Sequence, residues 1–429
     1  MSPEERSPEM EQVKRFLEFA EQAPTAFHAI DRLAAMLEQK GMIRLRETDP
    51  WLVDAGEQYY VVRNDSSLIA FSVPPTGFAP FRIAAAHSDS PAFRLKQRFE
   101  DASEAYVRLN AEKYGGMILS TWLDRPLSIA GRVAIRRNGA VASKLVRLDR
   151  DAVLIPNLPI HFNRKVNEGY AWDLKTDLMP LYGPGSAKGG LIREIAAAAG
   201  AEPEEIIGHD LFLYNREKGS IWGAEDAYFS CARIDDLECA WGCMTAFAQT
   251  RPRNCISVCA VFDNEEVGSG TRQGAQSDFL ANTLTRIGLS LGASAGEIMA
   301  TTAGSFLVSA DNAHALHPNH PELYDAQNRV YMNQGVVIKH NANQKYTTDA
   351  MSSAEFEMIC ESAGVPVQHF ANRSDLPGGS TLGNLSNTQV SMSSVDIGLA
   401  QLAMHSLYET AGTKDLSMLI QAMTAYWEA

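Results

Sequence analysis

The chain has 429 residues, 45% apolar and 21% charged, with 38 Lys+Arg against 52 Asp+Glu for a net charge of −14. At roughly 150 residues per domain this length predicts two or three globular domains, and the balance excludes a disordered or fibrous chain. The acidic field repels phosphate backbones and anionic lipid, so neither nucleic acid nor a membrane is expected as a partner.

The first 22 residues carry Glu4, Glu5, Glu9, Glu11 and Glu18, which a secretory signal would not tolerate. No apolar run approaches the roughly 18–20 residues of a membrane span. A cytoplasmic protein is expected. Ser7 as cap and Pro8 at the first helical position predict a helix along which Val13, Phe16, Leu17 and Ala20 recur at helical spacing. Thr25 opens a second helix that Gly41 ends. Strands follow at 59–63, 68–73 and 81–86, the last running directly into His87-Ser88-Asp89.

From about 93 to 229 the texture changes to short strand-like pieces, clearest where Asn138-Gly139 joins two alternating segments as a hairpin turn. GPGSAKGG at 183–190 reads as a flexible loop inside this β-rich insertion. Helical patterns then alternate with buried strands: 237–247 helix, 256–262 strand, 279–291 helix, 306–310 and 335–339 strands, 356–363 helix and a helical C-terminus. Such alternation predicts an α/β fold, a sheet covered by helices on both faces. The expected layout is a discontinuous domain, 1–92 with 231–429, interrupted by the insertion at 93–230. Cys231, Cys239, Cys243, Cys255 and Cys259 lie mostly in apolar stretches such as CISVCAVF and are expected as reduced core thiols. Their Cys-x3-Cys spacings do not match the tight pairs of a thiolate zinc site.

Ligands of open α/β sheets collect at the carboxyl ends of strands. Three predicted strands end in polar clusters: His87-Ser88-Asp89, Asp263-Asn264-Glu265-Glu266 and Asp311-Asn312-Ala313-His314. Asp235-Asp236 opens the long helix, and His405 stands in QLAMHSLYE. Any one of these also reads as a helix cap or a solvated loop acid. Together they supply the donors of a centre holding two divalent ions about 3.5 Å apart. One assignment puts His87, Asp235 and Asp311 on the first ion and Asp235, Glu266 and His405 on the second, with Asp235 bridging. Glu265 is then free as general base, and Asp89 can accept the second imidazole N–H of His87.

His-Ser-Asp-Ser-Pro at 87–91, Arg-Ile-Asp-Asp-Leu at 233–237, Phe-Asp-Asn-Glu-Glu-Val-Gly-Ser at 262–269, Ser-Ala-Asp-Asn-Ala-His-Ala at 309–315, Ile-Lys-His-Asn-Ala-Asn-Gln at 338–344 and Met-His-Ser at 404–406 stand in an order that resembles the aspartyl aminopeptidase and aminopeptidase I family of di-zinc metallopeptidases. The resemblance implies a zinc-exopeptidase-like mixed sheet covered by helices, split by an inserted β-rich dimerisation domain. It also implies dimers assembled into a tetrahedral homododecamer. His161 matches a histidine that reaches a neighbouring subunit's site, near its metals in some descriptions. Lys339, Tyr346 and His314 match positions at the pocket for the substrate's first side chain, where a buried ammonium would favour Asp or Glu. His314, His317 and His320 could form a third metal site, against which Pro318 and Pro321 argue a loop. The sequence departs from the pattern at Ser88, Ile234, Asp236 and Asn312, where Thr, Leu, Asn and Met are common; Asp236 adds negative charge beside the bridging ligand. Gly378-Gly379-Ser380-Thr381 offers N–H donors to a substrate carbonyl, or is a plain turn.

The implied activity is removal of N-terminal residues, acidic ones by preference, from short peptides, by attack of a di-metal-bound water with Glu265 as general base. Two ions per subunit are expected, Zn2+ first, with Co2+ or Mn2+ also suited to these ligands. The alternatives are an aminopeptidase of the same metal class preferring neutral residues, a carboxypeptidase or deacylase anchoring the other end of its substrate, and a non-catalytic oligomeric shell. Intact Glu265, Glu266 and all five ligands speak against the shell.

Overall fold

The computed structural model describes residues 8–379 and 381–429. Ser7, the expected cap, and Ser380 of the glycine loop lie outside the described residues. A nine-stranded mixed sheet forms the centre, in the order Ile43–Leu45, Gln58–Arg63, Ser67–Ser72, Ile256–Phe262, Phe81–His87, Phe306–Ala310, Ser393–Gly398, Val336–His340 and Val367–Ala371. The four strands from Ile256–Phe262 to Ser393–Gly398 are mutually parallel. Parallel strands buried on both faces must be apolar throughout, which is why CISVCAVF and SFLVSA read as continuous runs.

Because side chains alternate across a strand, each central strand feeds two cores. Ala84, Ala86, Cys259, Val261, Val308 and Ala310 pack with Pro8–Gln22, Ala26–Gln39, Ile234–Gln249, Ala350–Ser362 and Asp415–Glu428 on one face. Ile83, Ala85, Val258, Ala260 and Leu307 pack with Phe279–Ser290 and Leu382–Ser386 on the other. Both predicted N-terminal helices are present, and all six cysteines are buried free thiols.

Residues 92–215 supply a six-stranded antiparallel sheet in the order Ala140–Arg147, Leu127–Arg137, Ile206–Asn215, Ala92–Ala102, Tyr106–Tyr114 and Leu181–Pro184, with its own apolar core. The Asn138-Gly139 turn lies where expected: Arg137 pairs with Ala140, and both turn residues have positive φ, 53° and 76°. The stretch 183–190 is a correction. It is no free loop but the end of a strand, a 3-10 turn at Gly185–Ala187 and the start of the helix Gly190–Ala199. A Cβ at Gly185 would lie 2.3 Å from the Glu104 carbonyl, so this glycine serves close packing and not flexibility.

A third, five-stranded sheet, unanticipated from sequence, joins Ser220–Trp222, Tyr228–Cys231, Glu409–Gly412, Ala400–Leu402 and Ala313–His314. Its strands are two to four residues long, too short to carry a readable period. No helix among the described residues is long and apolar enough to cross a membrane.

Candidate metal centre

The register of the central sheet brings the polar strand ends to one edge. Phe262 lies beside His87, so the segment after Phe262 starts level with His87; the neighbouring strand Phe306–Ala310 delivers Asp311 to the same edge. The third sheet supplies the remaining side chains. Asp235 follows the strand Tyr228–Cys231, and His405 sits in the loop between Ala400–Leu402 and Glu409–Gly412. Asp235 and Asp236 are not helical, with ψ of 110° and 23°, so regular helix begins only beyond the pair.

Among the described residues three overlapping groups of donor atoms result, each within 4.8 Å: His87, Asp235, Asp236 and Asp311; His87, Glu265 and Glu266; Asp235, Glu266 and His405. His405 Nε2 lies 3.1 Å from Asp235 Oδ2 and 3.2 Å from Glu266 Oε1, and His87 Nε2 lies 3.7 Å from Asp235 Oδ1. Asp235 thus touches both histidines. His87 Nδ1 meets the main-chain carbonyl of Asp89 at 3.0 Å, with the Asp89 carboxylate at 3.5 Å. That carboxylate instead accepts the main-chain N–H of Glu265 at Oδ1 (3.1 Å) and of Glu266 at Oδ2 (3.2 Å).

The centre concentrates acids away from water. His87, Asp235, Asp236 and Asp311 are buried; the buried Asp236 Oδ1 has no hydrogen-bond partner among the described residues, and the buried Asp235 Oδ1 and Glu266 Oε1 make no well-formed hydrogen bond and face the imidazoles of His87 and His405. Burial pushes Glu265 up to about 9 and Glu266 to about 7, with neighbouring acids adding to it, and raises Asp236 well above the carboxylate range. Asp235 goes the other way: burial raises it, but bonds from His405 and His87 outweigh burial and hold it below the usual range. Orphaned carboxylate oxygens around hard and borderline donors are what a divalent cation would satisfy, so the residues present fit Zn2+.

The family model "Aminopeptidase I zinc metalloprotease (M18)" matches residues 19–427. The chain belongs to the M18 aminopeptidases. The probable M18 family aminopeptidase 2 of Clostridium novyi (strain NT) is 43% identical over 408 residues, covering 93% of this chain and 94% of that protein. A chain of the Ape4 and Nbr1 complex superposes with a TM-score of 0.94 at 32% identity, covering 98% of this chain and 86% of that one. The mApe1 dodecamer of S. cerevisiae gives 0.85 at 27%, covering 96% and 95%. This M18 protein is therefore a metalloaminopeptidase, a hydrolase of peptide bonds on a mixed α/β fold.

Around the centre of this M18 aminopeptidase, Lys339 is buried and donates to Asn312 O at 2.8 Å and Asp311 Oδ1 at 3.3 Å, 5.5 Å from the Tyr346 ring. Burial lowers its affinity for the proton, but the Asp311 charge outweighs this and raises it. Tyr346 is buried; His314 is exposed, its ring in a T-shaped contact with that of Phe370. His161 and His320 are exposed and His317 is half-buried, and all three lie outside the three donor groups. A cavity of 520 Å³ touches Asp89, Tyr114, Asn264 and Glu409 but none of His87, Asp235, Glu265, Glu266, Asp311 or His405, so it adjoins the centre without containing it.

Sequence reasoning missed Glu409. Buried and pushed up to about 8 by burial and by Asp235, it accepts Asp235 N–H at 3.1 Å and His405 N–H at 2.7 Å, bolting the two loops together. Only its place four residues after His405 hinted at a role. Asp236, read as added charge, accepts the His87 main-chain N–H at 3.0 Å.

Proposed function

We propose that this M18 aminopeptidase removes N-terminal Asp and Glu from short peptides at a centre of two divalent ions, zinc first. His87, Asp235 and Asp311 would hold one ion and Asp235, Glu266 and His405 the other. The convergence of these five side chains, with Glu265 beside them, carries this reading. Bound there, the ions supply Lewis acidity to a carbonyl oxygen and to water. Glu265 moves the proton. Its carboxyl, pushed up to about 9 by burial, falls toward neutrality when it faces positive charge, where a group can both accept a proton from water and return it to a leaving amine. Asp89 positions Glu265 by holding its main-chain N–H.

Further parts of the reading rest on the resemblance: a discontinuous catalytic domain, 1–92 with 231–429, around a dimerisation domain at 93–230; a tetrahedral homododecamer in the cytoplasm; and His161 serving a neighbouring subunit's site. The exposure of His161 and the dodecameric relative support the last two. Lys339 and Tyr346, with His314 at the rim, form the pocket for the acidic side chain. One observation favours a second reading, preference for neutral residues: the Lys339 ammonium already donates to Asp311 and Asn312. A panel of N-terminal residues separates the two.

The test of the centre is metal analysis of the purified chain together with Glu265→Gln. Turnover should fall at least a thousand-fold, on the order seen when a catalytic proton carrier is removed, with metal content unchanged. A chain without metal that zinc does not activate, or a fully active Gln variant, removes the assignment.

A further inference from the structure

The inserted sheet reaches into the catalytic machinery at one place. Its strand Tyr106–Tyr114 ends in Tyr114-Gly115-Gly116, and this segment lies against the metal-side loops. Tyr114 Oη donates to Asp89 Oδ2 at 2.6 Å and accepts from Asn264 Nδ2 at 2.9 Å. Asp89 Oδ1 and Oδ2 meanwhile receive the main-chain N–H groups of Glu265 and Glu266. Three donors from two segments therefore fix one buried carboxylate, and that carboxylate fixes the Glu265–Glu266 turn. A Cβ on Gly115, whose φ is +73°, would sit 3.1 Å from Glu266 Cβ; one on Gly116 would sit 3.8 Å from His405 Nδ1. Two further bonds tie the next residues to the His405 loop: Ile118 N–H to His405 O at 3.0 Å, and Leu407 N–H to Thr121 Oγ1 at 3.0 Å.

We propose that Tyr114 is a positioning residue for the Glu265–Glu266 pair, acting through Asp89, and that Gly115 keeps the space Glu266 occupies, so that the insertion shapes the active centre as well as any assembly surface. The proposal rests on the metal-centre reading above. An OH that pins a carboxylate contributes to reaching the transition state more than to holding substrate, because what it places is the proton carrier.

The experiment uses the full-length chain loaded with zinc. Tyr114→Phe should lower kcat about ten-fold or more with KM within about two-fold, at unchanged melting temperature and assembly size. The double variant Tyr114→Phe/Asp89→Asn should fall no further in kcat than Asp89→Asn alone, since both changes cut one chain of bonds. Kinetics of Tyr114→Phe within two-fold of wild type, or losses that multiply in the double variant, overturn the proposal. Zinc titration of metal-free Gly115→Ala gives a readout independent of activity: one of two binding steps should weaken about ten-fold or more while the other holds, and equal behaviour of the two steps counts against it. Wild-type protein that takes up two ions and dies with Glu265→Gln upholds the metal-centre reading whatever Tyr114→Phe does.

Discussion

Zinc uptake by the metal-free chain should expel about two to three protons per chain near neutral pH. In the metal-free centre His405 is drawn up to about 11: burial lowers it, but its ion pairs with Asp235 and Glu266 outweigh burial. His87 is held well above its ordinary value, burial again being outweighed, here by Asp236, Asp235 and Asp89. Both imidazoles therefore carry a proton at pH 7, and a ring nitrogen must be neutral to ligate a cation. Glu266, a proposed ligand at about 7, and Glu265, at about 9, together add up to about a third proton. Since the folded pKa values lie at or above neutrality, cations compete with protons throughout the range below them. Apparent zinc affinity should thus rise about ten-fold per proton, or at least roughly a hundred-fold per pH unit between about pH 6 and 8, and level off only as pH passes the His405 value. Calorimetric titration in buffers of different ionisation heat counts the protons, and chelator competition at three pH values gives the slope. A count near zero, or an affinity that stays flat with pH after correction for the chelator, would show that these histidines are neutral before metal arrives or do not ligate it. Either result refutes the electrostatic account.

Lys339→Met should lower kcat/KM for Asp and Glu substrates relative to Leu by about 10- to 100-fold, the equivalent of one charge-assisted bond of about 1.5–3 kcal/mol. An unchanged Asp/Leu ratio in a peptide panel removes Lys339 from the pocket and leaves it as partner of Asp311 alone. His28, buried and bonded to Thr25 Oγ1 at 2.8 Å, is held down to about 4 by burial and then by Arg147, against 6.5 unfolded. Its contribution is complete above about pH 6.5 and lost as pH falls toward 4, when the unfolded chain binds the extra proton, a swing of up to about 3 kcal/mol. Thermal melts of wild type and His28→Gln should therefore converge as pH drops from about 7 to 4.5, and parallel melting temperatures would contradict this.

What could be read in the sequence was what a strand end announces. His87, Asp263 to Glu266 and Asp311 each follow an uninterrupted apolar run, and parallel register converts three such endings into one edge. Asp235 and His405 were reached differently, through the ligand inventory, because the sheet that places them is made of strands too short to show alternation. Glu409 and Tyr114 left no mark on their own neighbourhoods: each acts on a segment 174 and 25 residues away, Asp235 and Asp89 respectively. The glycine stretch at 183–190 misled for a related reason, since a glycine chosen so that two backbones can touch looks the same in sequence as one chosen for freedom.

The burial of so many carboxyl groups favours the proposed working centre over a non-catalytic shell on energetic grounds. Among the described residues, Asp235, Asp236, Glu265, Glu266, Asp311 and Glu409 face Lys339, His87 and His405 as counter-charges, with Arg233 also acting on Glu409, so the acids outnumber the cations. The metal-free chain relieves the imbalance by keeping protons on Glu265 and Glu409, pushed up to about 9 and 8, and on Asp236. Each proton held this way marks a charge that burial has made costly. A shell protein would lose nothing by replacing such groups with apolar ones of similar size, which is often neutral or stabilising. Their presence together, in orientations set by Glu409, Asp89 and Asp236 through main-chain N–H groups, is what the proposed centre accounts for, since positive charge entering there offsets the desolvation.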